Sequence, residues 1–166
     1  MNGAEALIKC LERQGVEYIF GYSGGAAIPI FDAIITTKTK IEMILVRHEQ
    51  GATHMADGYA RVSGRHGVCI GQNGPGITNF VTAIAAAYWA HSPVICITPE
   101  TGASTTGLGG FQEAEQLPFF ETITKYQGHV TVPKRMAEFT GRCFDIAMQE
   151  NGPTQLNIPR DCFYGY

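Results

Sequence analysis

Residues 41–70 read Ile41-Glu42-Met43-Ile44-Leu45-Val46-Arg47-His48-Glu49-Gln50-Gly51-Ala52-Thr53-His54-Met55-Ala56-Asp57-Gly58-Tyr59-Ala60-Arg61-Val62-Ser63-Gly64-Arg65-His66-Gly67-Val68-Cys69-Ile70. The run 41–46 is strand-like and mostly apolar. Residues 49–63 carry apolar and small side chains at helical spacing, and Val68-Cys69-Ile70 is strand-like again. A strand, a helix and a strand in that order make the unit from which parallel sheets are built.

The same alternation extends in both directions. Residues 3–14 predict a helix with Ala6, Leu7, Cys10 and Leu11 on one face, and 18–20 a short strand ended by Gly21. Residues 26–35 predict a helix, 77–90 a long helix of small residues, and 94–98 a fully apolar strand. Residues 101–110 predict a mobile Gly/Thr loop, 130–132 a strand, 133–150 a helix entered through Pro133, and 154–158 a last strand. Such alternation predicts an α/β fold in which a parallel sheet is covered by helices on both faces. The segment after the last strand reads as the end of a domain, so residues 1–166 are expected to form a single domain.

Composition sets outer limits. The chain has 166 residues, 45% hydrophobic and 16% charged, which suits a compact soluble domain. A formal net charge of −3 argues against a nucleic-acid surface. No signal peptide is read at the N-terminus, and the apolar runs are too short to span a bilayer. Cys10, Cys69, Cys96, Cys143 and Cys162 form no CxxC pair. Buried reduced thiols in a cytoplasmic protein are the expectation, and a zinc site is not.

In an open parallel sheet, ligands bind beyond the C-terminal ends of the strands. Four unusual segments all follow predicted strands: 21–25, His48-Glu49, 72–76 and 99–110. They should share one rim. Glu49 falls in the first turn of a helix, where a carboxylate gains about 0.3–1 kcal/mol from the dipole. That position suits either proton exchange in a water-poor cleft or an ordinary helix-start carboxylate. His48 reads as a cap.

Gly74-Pro75-Gly76 brings bare backbone to the rim, as a ligand contact or as a tight strand-to-helix turn. Its glycines match neither the dinucleotide fingerprint nor a phosphate-binding loop. Residues 101–110 hold four glycines and four Ser/Thr residues, and Phe111-Gln112-Glu113 follows in position to re-enter the cleft. His54 and Asp57 read as a helix-surface pair. Tyr88 and Trp89 read as core or interface.

These residues also carry a resemblance. Val16-Glu17-Tyr18-Ile19-Phe20-Gly21, Arg47-His48-Glu49-Gln50-Gly51-Ala52, Ala56-Asp57-Gly58-Tyr59-Ala60-Arg61, Gly74-Pro75-Gly76 and Phe111-Gln112-Glu113 occur in this order. Together they resemble the N-terminal pyrimidine-binding domain of thiamine-diphosphate enzymes of the acetolactate synthase and pyruvate oxidase group. The resemblance covers nearly the whole chain and implies a flavodoxin-like, doubly wound sheet. The runs 72–83, 87–89 and 109–116 look most like the sulfoacetaldehyde acetyltransferase branch. The runs 21–26 and 48–52 look more like acetolactate synthase.

The resemblance implies specific roles. Glu49 would be the catalytic residue, bonding N1′ of the cofactor's aminopyrimidine and favouring the imino form that takes the thiazolium C2 proton. Asn73, Gly74, Pro75, Gly76 and Asn79 would complete the cofactor pocket. Gly24, Gly25, Phe111 and Gln112 would line the substrate side. The implied reaction joins sulfoacetaldehyde and phosphate to give acetyl phosphate and sulfite.

The family's diphosphate and magnesium motif, Gly-Asp-Gly with a downstream Asn, does not occur in this chain; Asp57-Gly58 is only a look-alike. The resemblance therefore implies that Mg2+ and the diphosphate sit on another domain or subunit, in a dimer or higher oligomer, with no metal ligand on this chain. Neighbouring expectations are a subunit of the sulfopyruvate decarboxylase type, an acetolactate synthase-like carboligase, and a non-catalytic pairing module.

Overall fold

The computed structural model of the chain describes residues 1–165. Its strands are β1 (Tyr18–Gly21), β2 (Glu42–Leu45), β3 (Gly67–Ile70), β4 (Val94–Glu100), β5 (Tyr126–His129) and β6 (Thr154–Pro159). They form one all-parallel sheet in the order β2-β1-β3-β4-β6-β5. The helices are α1 (Gly3–Arg13), α2 (Ile28–Thr36), α3 (Glu49–Ser63), α4 (Pro75–Thr78), α5 (Val81–Trp89), α6 (Gln116–Phe120), α7 (Met136–Gln149) and α8 (Asp161–Tyr164). This is the α/β, doubly wound arrangement expected from the alternation.

Two cores make the sheet a central layer. Leu7, Ile8 and Leu11 of α1, Ile30 of α2 and Phe144 of α7 pack with Val68, Ile70, Ile95, Ile97 and Leu156 on one face. Ala52, Ala56 and Ala60 of α3, Ile84 and Ala87 of α5 and Phe120 of α6 pack with Cys69, Val94 and Cys96 on the other. Alternate residues of β3 and β4 thus point into opposite cores, which is why residues 68–70 and 94–97 are apolar throughout.

Local chemistry sets the helix ends. Asn2 and Glu5 form a reciprocal capping box at α1, with bonds of 2.9 and 3.0 Å. Gly64 closes α3 in the left-handed conformation, at φ 68°.

Several expectations are corrected. The helix predicted over 77–90 is two helices. Short i→i+3 bonds at 3.0 Å, Ile77 N to Gly74 O in the first turn and Phe80 N to Ile77 O at the junction, tighten the chain there. The strand predicted over 130–132 lies instead at Tyr126–His129, in register with Thr154–Asn157. Val130 still bonds Asn157 and is buried, but Thr131 and Val132 are exposed, and Pro133 opens a 3-10 turn before α7. Helices α6 and α8 were not anticipated.

His54 does not pair with Asp57. Asp57 instead takes both arms of Arg61, at 2.9 and 2.6 Å. Trp89 is not core; it is 79% exposed. Loop 101–110 is anchored at three backbone amides. Asp161 accepts from Ala103 N at 3.0 Å, and the Glu113 carboxylate accepts from Gly107 and Gly110. Tyr18, Phe20, Ile44, Met55 and Tyr59 line an exposed apolar hollow against edge strand β2. Among the described residues, no helix is long and apolar enough to cross a membrane.

Candidate active site

Glu49 owes its place to a cap. His48 has extended backbone, and its Nδ1 accepts the Gln50 N–H at 3.2 Å, so α3 begins at Glu49. The half-buried carboxylate then leans across the rim. Asn79 Nδ2 donates to Glu49 Oε2 at 3.0 Å. A Cβ on Gly76 would come within 3.1 Å of Glu49 Oε1, so the bare glycine lets the carboxylate lie against the turn. The tightened chain after Gly74 is what brings Asn79 to Glu49.

The glycine turn is held from behind. Gly74 adopts φ 67°, a conformation that L side chains rarely take, and a Cβ there would collide with the Gln112 carbonyl. Its N–H donates to Gln116 Oε1 at 2.8 Å. Gln116 is buried, and its Nε2 donates to Pro99 O at 3.0 Å and Asn157 Oδ1 at 2.9 Å. Asn157 also accepts from Thr98 Oγ1 at 2.8 Å and donates to Glu100 Oε2 at 2.8 Å. His129 Nε2 meets the same Glu100 oxygen at 2.9 Å. A chain of satisfied polar groups thus runs from three strand ends to one backbone amide.

Gln72 and Asn73 join the remaining walls. Gln72 Oε1 accepts from Ala26 N at 3.0 Å, and a Cβ on Gly24 would run into the Gln72 side chain. Gln72 Nε2 donates to Gln112 Oε1 at 2.9 Å and also bonds Asn73 Oδ1. Asn73 Nδ2 donates to Gln112 O at 3.0 Å. The Asn73 side chain is therefore engaged with protein, fixing Gln112 in its left-handed conformation at φ 57°.

These segments enclose a cavity of about 570 Å³ beyond the strand ends. Glu49 follows β2, Gly24 and Gly25 follow β1, Asn73, Pro75 and Gly76 follow β3, and Asn79 ends α4. Phe111 and Gln112 arrive from the loop after β4, with Phe111 mostly exposed at the mouth. All of these expected residues face one space; Gly74 lies just behind its wall.

Tyr22, Ser23 and Gln72 line the cavity within the expected rim segments 21–25 and 72–76, whereas sequence reasoning missed the parts played by Gln116 and Arg160. Arg160 carried a readable signal, because it directly follows β6 and so obeys the strand-end rule. Gln116 carried none, since its partners are distant in sequence. Among the described residues, no group of three His, Cys, Asp or Glu side chains could hold a metal ion.

Comparison with known proteins sharpens the picture. The family described as thiamine pyrophosphate enzyme, N-terminal TPP binding domain, matches residues 1–119. A sulfoacetaldehyde acetyltransferase of Alcaligenes xylosoxydans xylosoxydans is 66% identical over 165 residues, which is 99% of this chain and 27% of that protein. Another, from Castellaniella defragrans, is 62% identical over the same shares. A probable acetolactate synthase large subunit of Methanocaldococcus jannaschii is 45% identical over 97% of this chain and 27% of its own length. The chain thus spans about a quarter of the length of these curated relatives. With that family match over residues 1–119 and a six-stranded all-parallel sheet, the chain belongs to the thiamine pyrophosphate (thiamine diphosphate) enzymes, as their N-terminal TPP-binding domain.

Proposed function

We propose that residues 1–166 form the pyrimidine-binding domain of a thiamine-diphosphate-dependent acetyltransferase that converts sulfoacetaldehyde and phosphate into acetyl phosphate and sulfite. The observation that carries this reading is the Glu49 carboxylate, set by Asn79 against the side-chain-free Gly76 in a cavity of adequate size. The 66% and 62% identities to sulfoacetaldehyde acetyltransferases over 99% of the chain support the choice of substrate.

The donor set fits an aminopyrimidine. A carboxylate faces the space where a ring nitrogen would present N–H, and the backbone of Pro75 and Gly76, which lines the cavity, offers a flat, uncluttered wall. Bound thiamine diphosphate supplies a nucleophilic carbon for addition to the substrate carbonyl. This chain's part is to hold and orient. Glu49 holds a proton at the ring nitrogen, Asn79 orients Glu49, and Gly74, Pro75 and Gly76 shape the ring pocket. Asn73 secures the Gln112 side of the substrate wall, where Gly24, Gly25 and Phe111 also stand.

Mg2+ and the diphosphate belong, in this reading, to another domain or subunit of a dimer or higher oligomer in the cytoplasm. The exposed apolar hollow at Tyr18, Phe20 and Met55 and the exposed Trp89 are surfaces for such contacts.

The test uses the full-length enzyme with thiamine diphosphate and Mg2+. Sulfite release from sulfoacetaldehyde, with acetyl phosphate formed only when phosphate is present, is expected. Condensation of two pyruvates in its place would overturn the substrate. That second reading, an acetolactate synthase-like carboligase, is favoured by the 45% identity to the Methanocaldococcus jannaschii protein.

A further inference from the structure

Charge is unevenly placed around the cavity. Its wall carries one carboxylate, Glu49, and one cation, Arg160. Glu49 follows β2 and Arg160 follows β6. In the order β2-β1-β3-β4-β6 their backbones stand four strand spacings apart, roughly 19 Å along the rim. The cation therefore occupies the end of the cavity farthest from the carboxylate.

The base of Arg160 is fixed, because its N–H donates to Glu100 O at 3.0 Å. Its guanidinium makes no ion pair among the described residues. The nearby carboxylates are occupied. Asp161 accepts from the Ala103 backbone, and Glu100 takes Asn157 and His129. Thr101, which lines the same wall, has a hydroxyl without a protein partner among the described residues. An unneutralised guanidinium and a free hydroxyl lining one cavity are a donor set for a tetrahedral oxyanion.

We infer that Arg160, with Thr101, is the anion-recognition end of this cavity and takes a tetrahedral oxyanion, either the sulfonate of the substrate or the phosphate acceptor. The inference rests on the reaction proposed above and adds to it the residue that selects an anionic substrate. It also gives the two ends of the cavity separate tasks, with the cofactor ring at Glu49 and the charged group at Arg160.

The experiment compares Arg160→Met and Arg160→Lys with the wild type in the full-length enzyme. In Arg160→Met, KM for sulfoacetaldehyde or for phosphate should rise at least about tenfold, the scale of a lost charge-assisted bond. The half-saturating thiamine diphosphate concentration should not move, and Arg160→Lys should recover part of the loss. The KM that rises identifies the anion. Calorimetry with inorganic phosphate and with ethanesulfonate gives a readout free of turnover: the wild type should bind one of them, and Arg160→Met should not.

Unchanged KM for both substrates, or a wild type that binds neither probe, would overturn the inference. If the wild type releases no sulfite from sulfoacetaldehyde, the proposed reaction has failed, and the calorimetric comparison alone still judges Arg160.

Discussion

The Asn79 side-chain amide donates to Glu49 Oε2 at 3.0 Å, joining residues thirty positions apart across the mouth of the sheet. The bond exists because the chain after Gly74 tightens instead of running on as one long helix. A carboxylate at a helix start would otherwise be free to swing into solvent. Asn79 converts it into a directed group.

Replacement of Glu49 in the full-length enzyme should therefore cost far more than replacement of Asn79. For Glu49→Gln, turnover should fall at least about 100-fold, within the range for a lost proton-transfer group. Asn79→Ala leaves the carboxylate in place but unaligned, and a smaller loss is expected. Both variants should keep the wild-type circular dichroism spectrum. Undiminished turnover in Glu49→Gln would remove the proposed role.

Gln116→Leu tests the support behind the turn. It strands the Gly74 N–H in a dry interior, a loss of about 1–3 kcal/mol for a buried group left unsatisfied, and takes one of two donors from Asn157 Oδ1, which keeps its bond from Thr98. Each 1 kcal/mol should appear as a fall of about 2–4 °C in Tm for a chain of this size. An unchanged melting curve would show that the network is not taut.

His66 should give stability a pH dependence. Its ring packs on Phe144 at 4.7 Å, and its Nε2 meets the Phe144 carbonyl oxygen at 2.9 Å. Burial pushes its pKa below the ordinary 6.5, although the carbonyl and the Asp145 charge act the other way. The unfolded chain thus binds more protons than the folded one just below pH 6.5, and stability is lost as pH falls through that region. Tm should drop between pH 7 and pH 5.5, and His66→Gln should flatten the drop. An identical pH profile in the variant would refute this.

The thiols give a further check. Burial pushes Cys143 up to about 12 and Cys162 up to about 11, and raises Cys96 and the half-buried Cys10 as well. Because the thiolate is the reactive form, native protein treated with iodoacetamide at pH 8 should take up at most one adduct, at Cys10. In guanidinium all five cysteines should react. Intact-mass measurement separates these outcomes.

Much of the architecture was legible because parallel strands buried on both faces, such as residues 94–97 of β4, are apolar without interruption. The rim residues were legible because one topological rule gathers every strand end. Strand β5 was not. Its sequence, Tyr-Gln-Gly-His, lacks the β-branched residues that mark strands, and Gln127 is spent on bonds to Gln155 and Leu117. The neighbouring Val-Thr-Val has that composition but leads instead into the Pro133 turn. Gln116 was invisible for a different reason: its importance lies in three partners that only the folded chain assembles.

The walled-in Gly74 has an evolutionary corollary. Its φ excludes side chains, its amide is committed to Gln116, and the direction a methyl would take is filled by Gln112. Nothing on that flank can drift without unseating the ring pocket. On the opposite flank the exposed residues 104–106 and 108 have no such enclosure. Enzymes built on this domain should diversify their chemistry there, keeping one half of the cleft frozen while the other is rewritten.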